Sequence, residues 1–176
     1  VNERMETSVP DIYAVGDAVE VTHFVTGQKA LISLAGSANK QGRIAADNIC
    51  GGNSRFHGSQ GSSVLKLFGL TAASTGINEK AAQAAGIAYD KVVLFPASHV
   101  TYYPGAQSMA MKVMYEKESL RLLGAQIVGG EGVDKRIDVL ATAIRAKMTA
   151  LELTELDLSY APPYSSAKDP VNMAGF

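Results

Sequence analysis

The chain has 176 residues, 47% hydrophobic and 19% charged, with 16 basic against 17 acidic side chains and a formal net charge of −1. That is the composition of an ordinary soluble protein able to bury a core, and no run of one sign offers a footprint for nucleic acid or an anionic membrane. No apolar stretch approaches the roughly 18 residues needed to span a bilayer. The stretch "VNERMETSVP" lacks a signal-peptide core, and the single cysteine, Cys50, excludes an internal disulfide and points to a reducing, cytoplasmic setting.

Residues 8–20, "SVPDIYAVGDAVE", predict a buried strand: Val9, Ile12, Tyr13, Ala14 and Val15 form an apolar run that breaks at Gly16 and Asp17. A glycine and an acid at a strand end are often where a ligand hydroxyl is met. If this strand belongs to a sheet whose other strands lie outside the chain, it leaves unpaired backbone groups, and residues 1–57 are expected to be partly rearranged or mobile, or to pack against a neighbour. "EVTHFVTGQKAL" reads as a loop or short hairpin. "SLAGSANKQGRIAADNICGG" predicts a helix, with Leu34, Ala38, Ala45 and Ile49 at helical spacing and Gly51-Gly52 as its stop. Cys50, on the apolar side of that helix end and without a Cys-x-x-Cys partner, is expected to be an inert core residue.

"GNSRFHGSQG" is polar and glycine-rich and marks a domain boundary, after which the pattern changes to short strands. "SVLKLF" and "TAASTG" come first, then a short helix "NEKAAQAAG" with Asn78 as its cap and Gly86 as its stop. "KVVLF", "SHVTYY" and "MAMKVMY" predict further strands, the last with Met109, Met111, Val113 and Tyr115 on one side. "EKES" turns the chain into "LRLLGAQIVG". In "GVDKRIDVLATAIRAKM", Val133, Ile137, Leu140, Ala141, Ile144 and Met148 share a helical stripe, and "TALE" is a capping box for one more short helix. The expected fold class is α+β: an antiparallel sheet with flanking helices over residues 58–157, preceded by a strand–helix piece over 1–57. Residues 158–176, "SYAPPYSSAKDPVNMAGF" from Ser159 on, show no periodicity and predict an extended arm.

Few residues announce chemistry. His23, His57 and His99 lack metal-ligand spacing, so no metal site is expected. No nucleophile elbow and no phosphate-cradling glycine loop is present. Tyr102-Tyr103 precede Pro104-Gly105, and Tyr160 and Tyr164 bracket Pro162-Pro163. Tyrosines often anchor turns and arms in this way. A phenol, neutral at pH 7, also suits hydrogen bonding to a leaving thiolate. From the residues alone, anchoring is the simpler reading.

Several stretches together resemble one family. "TSVPDIYAVGDA" is similar to the second flavin-binding motif of the FAD-dependent pyridine nucleotide-disulfide oxidoreductases, and "LAGSANKQGRIAADNI" to the helix that follows it. "GSSVLKLFGLTAASTGINEKAA", "HVTYYPGA" and "GGEGVDKRIDVLATAI" resemble their dimerisation domain, and the closing "SYAPPYSSAKDPVNMAG" the coenzyme A-disulfide reductase branch, including its rhodanese-fused forms. The resemblance implies the last third of a longer homodimeric enzyme. Its catalytic cysteine and nucleotide-binding motifs would lie upstream, and the isolated chain should fold without activity. FAD and NAD(P)H are the implied cofactors, coenzyme A disulfide or persulfide the implied substrate. Gly16 and Asp17 would then meet the flavin's ribitol, and Leu34 and Ala35 would present their helix start to its pyrimidine edge. Tyr102 and Tyr160 would assist at the disulfide across the dimer. Asn39, Arg43, Tyr103, Tyr164 and Lys168 would contact coenzyme A, with Tyr103 and Tyr164 the alternatives for the pair at the disulfide. The alternatives are an NADH oxidase or peroxidase of the same fold, and a non-catalytic dimerisation module.

Overall fold

In the computed structural model, which describes residues 1–176, the chain divides into two units, Val1–Gly61 and Ser62–Phe176. The first begins with a departure from the sequence reading: residues 8–15 form no strand. Peptide groups without an adjacent strand must bond elsewhere. Here the chain doubles back, Thr7 N donating to Ile12 O (2.9 Å) and Ala14 N to Met5 O (3.1 Å), with Glu6 paired to Tyr13 in an isolated antiparallel bridge. Asp11 takes the left-handed conformation at the reversal (φ 63°), a region that Asp tolerates better than most residues. Val9 and Ile12, expected inside, are exposed.

This unit nevertheless has a core of its own, in which Met5, Val19, Val21, Ala45 and Phe56 are buried together and Tyr13 and Ile44 pack against them. Strands β1 (Glu20–Thr22) and β2 (Lys29–Leu31) make the short hairpin, and helix α1 runs Ala35–Ile49 to Gly51, whose φ of 86° ends it. The helix does not bury the stripe the spacing suggested. Its inner face is Ser37, Gln41, Ala45 and Asn48, while Ile49 and Cys50 are exposed. The apolar count misled because Asn48 is worth burying. Its amide donates to Arg4 O (3.0 Å) and Ser54 O (2.9 Å), and its oxygen accepts from Ser54 N (2.9 Å).

The second unit is built on five antiparallel strands, β3 (Ser63–Leu67), β4 (Leu70–Gly76), β5 (Tyr89–Leu94), β6 (Ala110–Glu116) and β7 (Leu122–Gly129), in the order β3-β4-β7-β6-β5. Helix α2 (Glu79–Ala84) is capped by Asn78, whose side chain accepts from Ala81 N at 2.9 Å. Helix α3 (Val133–Arg145) lays Val133, Ile137, Leu140 and Ile144 against β4 and β7. Beyond it the capping box forms as read: Thr149 N donates to Glu152 Oε2 (2.7 Å) and Glu152 N to Thr149 Oγ1 (3.3 Å). Along β6, Met109, Met111 and Val113 point inward by simple alternation. Met114, next to Val113, is buried as well, and beyond it the register shifts and Tyr115 is half-buried.

The sheet's other face carries an exposed row. Leu65 pairs with Ala72, Ala72 with Val128 and Val128 with Ala110, so four neighbouring strands present apolar side chains side by side. Two expectations change in this unit. "SHVTYY" is loop rather than strand, and the closing segment is irregular over 156–161. It then turns and ends in helix α4 (Pro170–Met173), with Ser165, Asp169 and Val171 buried.

Candidate functional site

The loop between β5 and β6 is shaped by local bonds. An isolated bridge pairs Ala97 with Ser108, and Ser98 Oγ accepts from Gln107 N at 3.1 Å. His99 is buried, with Nε2 3.2 Å from Pro104 O and Nδ1 3.2 Å from Ser98 Oγ. A carbonyl only accepts, so Nε2 donates to Pro104 O. The imidazole edge meets the ring of Tyr103 at 5.7 Å and 75°. This loop carries Tyr102 at its tip.

Tyr160 stands in the segment that follows the capping box, 58 residues away in the chain, yet its hydroxyl lies 3.2 Å from that of Tyr102. Both rings are open to solvent, Tyr102 by 74% and Tyr160 by 45%. The hydrogen bond with Tyr102, helped by partial desolvation and by the neighbouring phenol's charge, raises the Tyr160 phenol above its ordinary value. The Tyr160 phenol is therefore neutral at physiological pH. Whichever hydroxyl donates to the other, one O–H remains to point outward, and it is polarised by the bond behind it.

A residue that the sequence reading passed over lies beneath. Arg136 is 1% exposed, and its Nη2 reaches Ser98 O (3.0 Å), Tyr164 O (3.3 Å), Ser165 Oγ (3.2 Å) and Asp169 Oδ2 (3.0 Å). Its Nη1 donates back to Gly132 O at 3.1 Å. Gly132 is required here twice: its φ is 77°, and a methyl on it would collide with the guanidinium. Burial alone would raise the carboxyl of Asp169, but Ser165, the Val171 N–H and Arg136 together hold it below the ordinary value. The signal was legible in principle. Position 136 falls on the apolar stripe between Val133 and Ile137, where an arginine must have buried partners.

In the first unit, Gly16–Ala18 forms a 3₁₀ turn beside α1, where Gly16 N donates to Gln41 Oε1 at 2.7 Å and Gln41 Nε2 donates to Ser37 Oγ at 3.0 Å. Asp17 is exposed on that turn. Leu34 is the N-cap of α1 but gives no side-chain hydrogen bond, and no acid stands in the first turn. The leading N–H groups, at Ala35 and Gly36, thus have no side-chain partner and carry the helix's positive end. Asn39 and Arg43, one turn apart, are exposed on the same helix. In the second unit the remaining candidates are dispersed. Tyr164 contributes its carbonyl to Arg136 while its ring is exposed, and the Lys168 ammonium sits 4.2 Å over the ring of Phe176.

Residues 63–170 match the family described as the pyridine nucleotide-disulphide oxidoreductase dimerisation domain. The chain belongs to this family. It is 40% identical to a coenzyme A disulfide reductase of Staphylococcus haemolyticus over 177 aligned residues, covering all of this chain and 40% of that protein. It is 39% identical to an NADH oxidase of Methanocaldococcus jannaschii, covering 99% of this chain and 39% of that one. Among solved structures, an NAD-dependent persulfide reductase from A. fulgidus superposes with a TM-score of 0.96 at 48% identity, over 99% of this chain and 32% of that chain. The chain thus spans about two-fifths of the length of the curated relatives it matches. None of its helices is long and apolar enough to cross a membrane.

Proposed function

We propose that this chain works as the C-terminal part of a cytoplasmic, homodimeric flavoenzyme that uses NAD(P)H to reduce coenzyme A disulfide or a coenzyme A persulfide. The observation that carries the reading is the meeting of Tyr102 and Tyr160, 3.2 Å apart and exposed. Two loops bring a pair of phenols together at a surface, where one O–H can be offered to a thiolate as it leaves. In this reading residues 1–57 complete an FAD-binding domain, 58–157 form the dimerisation domain and 158–176 carry Tyr160 to its place. The row Leu65, Ala72, Val128 and Ala110 supports the two-fold interface, since an apolar strip of this kind is what a second copy would cover.

FAD fits the residues present. The uncapped start of α1 at Leu34 and Ala35 suits an edge on which negative charge builds, and the exposed carboxylate of Asp17, beside Gly16, suits a hydroxyl. When bound, FAD would supply a two-electron carrier between nicotinamide nucleotide and acceptor. The chain's own residues would bind and orient it: Asp17 would accept from a ribitol hydroxyl, and the start of α1 would offer its N–H groups to the ring. Asn39, Arg43, Tyr103, Tyr164 and Lys168 are proposed for coenzyme A, with the two cations suited to its phosphates.

The NADH oxidase likeness, at 39% identity, favours a second reading in which dioxygen is the acceptor. Turnover of NAD(P)H by the intact flavoprotein, with coenzyme A disulfide or persulfide under argon and with air alone, separates the two. The proposed function expects thiol release under argon at a rate well above oxygen consumption in air. The reverse ratio would replace it with the oxidase.

A further inference from the structure

We propose that Arg136 is a positioning residue for the phenol pair, one buried guanidinium that sets the spacing of Tyr102 and Tyr160 by holding both segments that carry them. The inference rests on the reading above, in which the pair serves the electron acceptor. Neither tyrosine stands on a strand or helix, so no ladder fixes its place. What fixes them is a cross-tie. Arg136 Nη2 bonds Ser98 O (3.0 Å), four residues before Tyr102, and Tyr164 O (3.3 Å), four residues after Tyr160. Val100 N donates to Ser165 O at 3.1 Å, joining the two segments directly beside it. The His99–Pro104 bond, at 3.2 Å, stiffens the loop between that anchor and its tip.

The chemistry of the donor explains why an arginine stands here. A buried ion pair is a weak stabiliser, because desolvating both charges offsets most of their attraction. The Arg136–Asp169 pair, with exposures of 1% and 2%, would therefore be poorly explained by stability alone. Only an arginine has a planar set of N–H groups that meets a carboxylate while reaching two carbonyls on different segments. Lysine could keep the charge beside Asp169 but not the fork. Asp169 also accepts from Val171 N (3.0 Å) and Ser165 Oγ (2.5 Å), so it seats the tail whether or not the arginine is present.

The test compares Arg136→Lys, and the neutral double variant Arg136→Met with Asp169→Asn, against the unsubstituted protein. The double variant removes both buried charges while the amide oxygen introduced by Asp169→Asn keeps the cap on α4, which preserves folding. On this chain itself, brief photo-oxidation followed by peptide mapping measures how much dityrosine joins positions 102 and 160, and thermal melting measures folding. In the flavoprotein, the two half-reactions are timed separately. Both variants are expected to lose most of the cross-link between 102 and 160 while folded. Both should also slow acceptor reduction roughly tenfold or more, since small misplacements of a reacting group are costly, with flavin reduction by NAD(P)H unchanged. A folded variant that retains the cross-link and the acceptor rate would overturn the inference, whatever its melting temperature. If the cross-link is lost but neither these variants nor Tyr160→Phe slows acceptor reduction, the positioning stands and the acceptor role of the pair fails.

Discussion

Replacing Tyr160 by Phe removes one oxygen from a surface pair, and its effect is decided by two magnitudes. The structural cost is small. The Tyr102–Tyr160 bond is 3.2 Å long, past the usual O–H···O range, and both rings are largely in water, Tyr160 by 45%. Surface changes of this kind stay within about 0.5 kcal/mol. The chemical cost is not small if the outward O–H meets a thiolate as it leaves, since losing one such donor typically costs about 3 kcal/mol, or a hundredfold in rate. Tyr160→Phe should therefore slow acceptor reduction by about two orders of magnitude with no change in melting temperature. Because the two hydroxyls act as one donor, Tyr102→Phe should behave alike, and the double variant should be little worse than either single one. Single-turnover reoxidation of the reduced flavoprotein by coenzyme A disulfide is the assay. An unchanged rate for Tyr160→Phe, or fully additive effects of the two substitutions, would refute the reasoning and return both tyrosines to an anchoring role.

Where β4 meets β7, a methyl on Gly124 would overlap the Ile77 carbonyl oxygen and stand 2.7 Å from Ile77 N, so Gly124→Ala should cost about 3 kcal/mol or more in denaturant unfolding. Gly69→Ala, with nothing within 4 Å of the new carbon, is the control and should cost far less. Glu79 accepts from Lys91 (2.5 Å) and Lys112 (2.9 Å), and those bonds pull its carboxyl down from 4.5 to about 2. A lowered folded value means stability that is present above pH 4.5 and lost as pH falls toward 2, so the midpoint gap between this protein and Glu79→Gln should close over that window. A gap that stays constant down to pH 2 would contradict the assignment. Val128, at the middle of the exposed row, should tolerate Lys in the monomer but not in a two-fold interface that would bury the new charge. Light scattering should show a dimer for the chain and a monomer for Val128→Lys; a monomeric parent chain at micromolar concentration would exclude the interface.

How far the sequence could be read depends on how local each cause is. Asn78, Gly86, Thr149 and Glu152 act within one turn of themselves, and the elements they bound appear where the spacing puts them. Of the five antiparallel strands of the second unit, β6 was legible for the same reason, since alternation needs only the strand and one buried face, whereas β3 is exposed throughout and β7 buried almost throughout. Residues 8–15 failed because a strand is a property of two segments, and the apolar run carried no information about a neighbour. The α1 stripe failed because burial there is governed by hydrogen-bond partners far off in sequence, as Asn48 with Arg4 O shows. The site divides along the same line. That Tyr102 and Tyr160 belong together came from resemblance, since 58 residues separate them and nothing periodic links them. What joins their segments is Arg136, and it was missed although it lies on the most regular helix stripe in the chain. A pattern of apolar spacing treats a charged residue on the buried face as noise. Physically it is the reverse, because a guanidinium at 1% exposure is held there by bonds to particular groups, here Ser98, Tyr164, Ser165 and Asp169. In this fold the exception to the pattern marks the place where two irregular segments are tied together.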